Sequence, residues 1–362
     1  MNPKDIANTR LLSQQIAGSK FTTVRDLVGW MGAIQAQDYA MAKWAIGARL
    51  TGSTTATVET ALNNGEIIRT HLMRPTWHFV AATDIYWMLE LTAPQIRILM
   101  RSRDKELELS EKIYKKSNSI IKKALADGKH LTREALMLEL EKAKIATDNY
   151  RSGHLMLRAE MDGIVCSGAI KANKQTYTLL EDWVPKPKTV TKDEALKKLA
   201  TKYFSSHCPA TLNDFIWWSG LPVRDGRNAL EMIKKDLVSE NVGAETYWMP
   251  GSFADGHKSK STAYLLPAFD EYLISYKDRG AALQLQHQSK AFSINGIFRP
   301  IIVMNGQVTG LWKRSFKKDS VIIETNLFKP PSAAAKKQID KAAKQYARFL
   351  GMKASVVHAA LS

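Results

Sequence analysis

The sequence contains little of what secreted, membrane-spanning and metal-binding proteins depend on. Its two cysteines, Cys166 and Cys208, form neither a CxxC pair nor a Cys/His cluster with the spacing of metal ligands. The N-terminal segment MNPKDIANTR is polar and lacks the apolar centre of a secretory signal. No run approaches the ~18 consecutive apolar residues that cross a bilayer. These absences predict a cytoplasmic protein with no cofactor, no metal and no membrane partner.

Acidic residues are also few in comparison with basic ones. The chain has 52 Lys plus Arg and 35 Asp plus Glu, a formal net charge of +17 at pH 7. A charge of this sign and size indicates nucleic acid, an anionic membrane surface or an acidic protein as partner, and nucleic acid is favoured. The 362 residues exceed what one hydrophobic core usually organises, so we expect two to four domains.

The first ~250 residues are typical of short helices separated by polar breaks. Three units are predicted, at 1–125, 126–185 and 186–257. In the second unit Thr132 is placed to cap a helix, a basic helix follows, and the polar hinge 171–175 suits a two-stranded hairpin. Helix, turn, helix and hairpin is the plan of a winged-helix domain. The sequence identity between the units is slight, so the repeat is one of pattern only.

The pattern changes from α to β after residue 258, in a predicted fourth domain at 258–362. Three segments either alternate apolar with polar residues or are apolar throughout, and Asn305-Gly306 is a strong hairpin signal. A basic amphipathic helix then follows near the end of the chain. Residues 311–362 contain eleven Lys or Arg and three Asp or Glu, a net charge of +8. The exposed face of this helix suits either solvent or DNA. The predicted fold class is therefore α+β.

Two neutral amides, Gln35 and Gln37, lie in the small apolar run MGAIQAQDYA. Residues two apart on a continuous helix point in directions about 200° apart, so the two side chains would diverge. They can face one ligand only if the helix predicted over 22–36 ends or distorts here, and Asp38 is placed to cap the next helix. The alternative is structural: one amide packs inside against backbone and the other faces solvent.

Four stretches together resemble a bacterial winged-helix family that includes the AlkZ and YcaQ type DNA glycosylases. They are IQAQDYA, IIRTHLMRPTWHFV, LLPAFDEYLISYKDR and NGIFRPIIVMNGQVTGLWKR, and the resemblance extends over nearly the whole chain. It implies tandem winged-helix units followed by a β-rich domain, arranged as a concave basic cradle around double-stranded DNA. It also implies cleavage of the N-glycosidic bond of alkylated purines and unhooking of interstrand crosslinks. The family motif is Gln, an apolar residue, then Gln or Asp, and it falls on Gln35, Ala36 and Gln37 in its two-glutamine form.

Paired amides suit this chemistry because an alkylated purine already carries positive charge and leaves as a neutral base. The enzyme then needs no strong acid, only a water held beneath the anomeric carbon of an oxocarbenium-like sugar. A glutamine carbonyl accepts a hydrogen bond from that water. The sequence thus predicts a monofunctional DNA glycosylase in which Gln35 and Gln37 position the water. A non-catalytic winged-helix DNA-binding or regulatory protein is the first alternative, and a module that binds acidic proteins is the second.

Several basic residues are candidates for contacts with DNA. Arg151, His154 and Arg158 are three and four residues apart and therefore share one helical face, which suits phosphate contacts or a solvated surface. The other candidates are Arg69, His71 and Arg74 near a predicted turn, and Lys171 and Lys174 at the tip of the second hairpin.

Two adjacent carboxylates, Asp270 and Glu271, raise the question of a paired acid–base site. They are expected on a strand, where they would face opposite sides. This placement favours an internal ion-pair network with Arg279 over catalysis.

Overall fold

The protein is described by a computed structural model at residues 1–172, 174–254 and 262–358. It is an α+β structure, with fifteen α-helices and twelve β-strands in those ranges. Asn173, in the predicted hinge of the second unit, lies outside the described residues. Within the same ranges, no helix is long and apolar enough to span a membrane.

The N-terminal part combines helices with a small antiparallel sheet. Its elements are α1 Pro3–Ser13, α2 Val24–Met31, β1 Ile34–Gln35, α3 Tyr39–Gly47, α4 Thr55–Asn63, β2 Ile67–His71, β3 Trp77–Ala81 and α5 Ile85–Glu106. The strand order is β1-β3-β2, with β3 in the centre. Asp38 caps α3 by accepting a hydrogen bond from the Met41 N–H, as the sequence predicted.

Two groups of three helices, each followed by a hairpin, come next. The first contains α6 Glu111–Leu125, α7 Arg133–Lys142, α8 Arg151–Met161, β4 Val165–Ser167, β5 Tyr177–Leu179 and α9 Leu180–Trp183. The second contains α10 Lys192–Ser206, α11 Leu212–Ser219, α12 Val223–Ile233, β6 Val238–Val242 and β7 Glu245–Met249. The predicted cap at Thr132 is confirmed, and in the second group Thr211 caps α11 and Gly220 ends it.

The first of these hairpins forms around the predicted hinge. Its strands pair Val165 with Leu179 and Ser167 with Tyr177, on either side of residues 171–175. Among the described residues of the hinge, one isolated bridge joins Lys171 to Lys174. The apolar residues that close the core of this unit lie outside the hinge, and they set where the ladder forms.

The C-terminal part contains a five-stranded sheet. Its elements are β8 Ala263–Leu266, α13 Glu271–Ile274, α14 Gln288–Ala291, β9 Ile301–Met304, β10 Gln307–Lys317, β11 Ser320–Leu327, α15 Ala333–Leu350 and β12 Lys353–His358. The strand order is β12-β11-β10-β9-β8, and the β12–β11 pair is parallel. The predicted turn at Asn305 and Gly306 joins β9 to β10, with both residues at positive φ (51° and 76°).

One large core joins the N-terminal helices to this sheet. The Trp44 ring of α3 lies 5.0 Å from Tyr346 and 5.3 Å from Phe349, both on α15. Trp312 of β10 lies 5.1 Å from Tyr346 on the same helix. The apolar face of the basic helix α15 is therefore buried, and its lysines lie on the opposite face. This packing places α3, and the motif directly before it, against the C-terminal part.

Candidate active site

The helix that precedes the two amides ends before it reaches them. α2 stops at Met31, because Gly32 adopts the left-handed backbone (φ 76°) that terminates the helix. Gln35 then lies in β1, opposite His78 of β3. The predicted interruption is confirmed, although it falls earlier than expected. Gln35 is 5% exposed, whereas Gln37 is exposed.

The backbone of the motif is fixed on three sides. The Gln35 N–H donates to Oε1 of Glu271 at 2.6 Å, and the Ala36 N–H donates to the Trp77 carbonyl at 2.7 Å. Arg69 donates from Nε and Nη2 to the Ala36 carbonyl, at 3.2 and 3.0 Å. The position of Gln35 is thus set jointly by the N-terminal sheet and by α13.

The side chain of Gln35 faces two other polar groups. Arg74 donates from Nη2 to its Oε1 across 3.5 Å, which is long for a hydrogen bond. His78 lies on the same face, because directly opposed residues of an antiparallel pair share a face. Nδ1 of His78 is 2.9 Å from the Thr76 carbonyl. We assign the proton to Nδ1 on this basis, which makes the buried Nε2 an acceptor with no partner among the described residues.

Burial lowers the pKa of His78 to about 4, and the nearby Arg74 adds to the effect. The imidazole is therefore neutral at pH 7. A neutral ring beside Gln35 can accept a hydrogen bond from water but adds no positive charge to the site.

Glu271 is a buried carboxylate directly behind the motif. Besides the Gln35 N–H, it accepts from Trp218 Nε1 at 3.2 Å and from the Ser275 hydroxyl. His207 Nε2 lies 3.7 Å from Oε2, close enough for electrostatic attraction but too far for a good hydrogen bond. Burial opposes ionisation of Glu271, but His207, Ser275 and the Gln35 N–H outweigh it and hold the carboxyl pKa at about 2. Glu271 is therefore charged at pH 7.

The prediction that Asp270 and Glu271 lie on a strand with Arg279 as their partner is wrong. Asp270 caps α13 and forms a buried bidentate pair with Arg49, with both N–O distances 2.8 Å. Arg279 instead donates to the carbonyls of Leu273 and Lys277. No local pattern indicates Arg49 as the partner, because this contact joins positions 221 residues apart.

Arg69 and His71 connect the motif to the first of the two groups of three helices. Nη1 of Arg69 donates to Gln175 at 2.7 Å, and its guanidinium lies 4.0 Å from the Trp77 ring. Nδ1 of His71 is 2.7 Å from Oε2 of Glu160, a buried residue of α8. These contacts give both side chains a structural role, and their contact with DNA remains a prediction.

The candidate basic residues of α8 are bound by their own chain. Arg158 pairs with Glu111 at 2.7 Å and with Asp162 at 2.9 Å. His154 lies 3.1 Å from Asp104, and Arg151 donates to the carbonyls of Ala146 and Leu107. Lys171 and Lys174 remain exposed at the tip of their hairpin. Contact of these five residues with phosphate is still a prediction.

The residues that sequence reasoning missed are His78, His207, Trp218 and the role of Glu271. No local pattern marks them as partners of Gln35. In the described part of the chain, no group of three or more His, Cys, Asp or Glu residues is placed to hold a metal ion.

This α+β fold is similar as a whole to that of a solved structure. The structure of Streptomyces sahachiroi DNA glycosylase AlkZ matches 98% of this chain with 99% of its own, at a TM-score of 0.80 and 20% identity. This similarity establishes the fold. The interstrand DNA cross-link repair glycosylase of the same organism is 24% identical over 307 residues, which cover 80% of this chain and 81% of the relative.

The family model described as DNA glycosylase AlkZ-like matches residues 28–349. The chain belongs to this family of DNA glycosylases, as the four sequence stretches indicated. The matched region includes the motif, the network behind it and most of α15.

Proposed function

We propose that the protein is a monofunctional DNA glycosylase that hydrolyses the N-glycosidic bond of cationic alkylated purines, or unhooks interstrand crosslinks by the same reaction. One observation carries the proposal: the two amides of the family motif lie where a helix is interrupted, on backbone that a strand, Arg69 and the buried carboxylate Glu271 hold in place. Such rigidity suits a group that must orient a water molecule.

In the proposed reaction the bond between the sugar C1′ and the purine nitrogen breaks, and its electron pair neutralises the positive charge of the base. Water forms the new bond to C1′ and loses one proton to solvent. Gln37, which is exposed, contacts this water through its carbonyl. The Gln35 carbonyl accepts another hydrogen bond from the same water through the lone pair that Arg74 does not occupy. When Arg74 moves away from Gln35, both lone pairs are available to the water. An amide is too weak a base to remove a proton from water at pH 7, and it cannot protonate a departing base. Ordinary nucleotides therefore do not react, because their uncharged bases are poor leaving groups.

The nearly complete burial of Gln35 favours a second candidate. An amide that bonds Arg74 and is 5% exposed can be purely structural, as in a protein that binds duplex DNA without cleaving it. We propose the same DNA-binding surface for both candidate functions. Winged-helix units form a concave basic cradle that prefers alkylated or crosslinked duplex DNA.

The decisive experiment measures free base and abasic sites after incubation with duplex DNA containing N7-methylguanine. We expect base release without strand cleavage, and loss of release in Gln35→Ala and Gln37→Ala while duplex affinity persists. Gln286→Ala, an exposed amide outside the motif, is the matched control and should be fully active. Tight duplex binding with no base release by the wild-type protein would favour the non-catalytic alternative.

A further inference from the structure

Three cationic side chains from two segments that are distant in sequence meet at one tryptophan next to the motif. The Trp217 ring of α11 lies 5.7 Å from the Arg74 guanidinium, 4.9 Å from the Lys277 ammonium and 5.4 Å from the Arg279 guanidinium. Nε1 of Trp217 donates to the Ile274 carbonyl at 2.9 Å, which fixes the ring. We call Arg74, Lys277 and Arg279 the cation cluster.

The cation cluster has no close carboxylate partner in the described ranges. None of its members has an ion pair within 4.0 Å there, although Glu271 attracts Arg74 from farther away. Burial lowers the pKa of Arg279 to about 10; Asp214 and Asp278 oppose the decrease, and the positive charge of Arg74 adds to it. An anion bound among these cations would relieve the repulsion between Arg74 and Arg279.

The nearby acids have other partners. Asp214 pairs with Arg10 at 3.5 Å and accepts the backbone N–H groups of Lys277 and Asp278. Glu271 is engaged by Gln35, Trp218 and Ser275. Asp278 is exposed and caps the N–H of Gly280 at 2.8 Å.

Arg74 is directed toward this place by an unfavourable backbone. Met73 and Arg74 both have positive φ, 41° and 46°, which costs energy for residues with a side chain. Gly220 allows the close approach, because a Cβ there would lie 3.2 Å from the Arg74 nitrogen. Nε of Arg74 is buried and has no hydrogen-bond partner in the described part of the chain. Strain and an unsatisfied guanidinium nitrogen are typical of a site that lacks its ligand.

We propose that the cation cluster binds a phosphodiester group of the DNA strand, next to the nucleotide that loses its base. The inference rests on the proposed function, since Arg74 also bonds Oε1 of Gln35 and so places this phosphate one side chain from the motif. A guanidinium offers paired N–H donors that match two phosphate oxygens. The phosphate competes with Gln35 for Arg74 across the long 3.5 Å bond. Strand binding therefore frees the Gln35 carbonyl for water.

The first test uses the exposed Lys277, whose removal leaves the core intact. Lys277→Gln should lower the slope of log affinity against log salt for undamaged duplex by up to about 0.9, the value of one whole phosphate contact, because Arg74 and Arg279 keep part of that contact. Lys197→Gln, an exposed lysine of α10, is the control and should leave the slope unchanged. An unchanged slope in Lys277→Gln would refute a phosphate contact by this residue.

The second test removes charge from the DNA instead. Single methylphosphonates are placed at each position around the lesion, and affinity and single-turnover base release are measured for wild type, Lys277→Gln and Arg74→Gln. One substitution next to the lesion should weaken binding by wild type, and the same substitution should weaken binding by either variant less, because each variant has already lost one contact with that phosphate. In wild type it should also lower the rate at saturating enzyme, because Gln35 stays bound to Arg74.

The proposal would be overturned if, at every position, the loss of affinity caused by the methylphosphonate simply added to the loss caused by the protein substitution. The binding measurements do not require catalysis, so they remain decisive even if the protein releases no base. Conversely, normal base release with additive losses would refute the phosphate site and leave the proposed glycosylase activity intact. Circular dichroism melts confirm that Arg74→Gln is folded, and Lys277→Gln decides the outcome if it is not.

Discussion

Replacing Glu271 with glutamine should destabilise the protein by about 3 kcal/mol at pH 7. Glutamine mimics the protonated acid, and a carboxyl pKa lowered from 4.5 to about 2 corresponds to that free energy. The structure gives the reason: one oxygen accepts the Gln35 N–H and the other accepts Trp218 and Ser275, so an amide NH2 must face a donor. If the whole chain unfolds as one unit, the melting temperature falls by about 4 °C.

The assay is urea unfolding of wild type and Glu271→Gln between pH 2 and 8, followed by circular dichroism. The folded-state pKa lies below the unfolded value of 4.5, so the stabilisation is complete above that pH and is lost as pH falls toward 2. Base release should also slow, since the Gln35 backbone loses its anchor. Glu245→Gln, an exposed residue of β7, should change nothing. A loss below 1 kcal/mol, or one independent of pH, would refute the reasoning.

Three further changes test the buried network and the main core. Arg49→Leu leaves the carboxylate of Asp270 buried without its cation, so urea unfolding should show a loss of about 3–5 kcal/mol, partly recovered when Asp270→Leu is added. The pKa of His78 is lowered from 6.5 to about 4, so as pH falls the unfolded chain takes up this proton before the folded chain does. The free energy of unfolding, relative to that of His78→Gln, should therefore fall by about 3 kcal/mol between pH 6.5 and pH 4. A difference between the two proteins that does not change with pH would contradict this. Gly47→Ala places a Cβ 2.5 Å from the Phe349 ring and should cost about 1–3 kcal/mol in the same assay, whereas an unchanged midpoint would show that α15 shifts freely.

Much of the local structure was predictable because its causes are local. Thr23, Asp38, Thr132 and Thr211 each accept a hydrogen bond from a backbone N–H three residues later, a contact that sequence spacing alone encodes. The Asn305-Gly306 turn likewise depends on two adjacent residues that tolerate positive φ. The requirement for a helix interruption at Gln35 followed from the periodicity of a helix.

The sequence by itself therefore determined the class of fold, the places where helices begin and the pair of amides that marks the family. Only the tertiary structure decided what surrounds those amides. Glu271 reaches Gln35 across 236 residues, and the cation cluster joins the β2–β3 loop to the segment after α13. The difference in burial between Gln35 and Gln37 is tertiary as well. Hydrophobic packing selects such contacts, because it brings distant polar groups together only after the whole chain has folded, and no local pattern records the result.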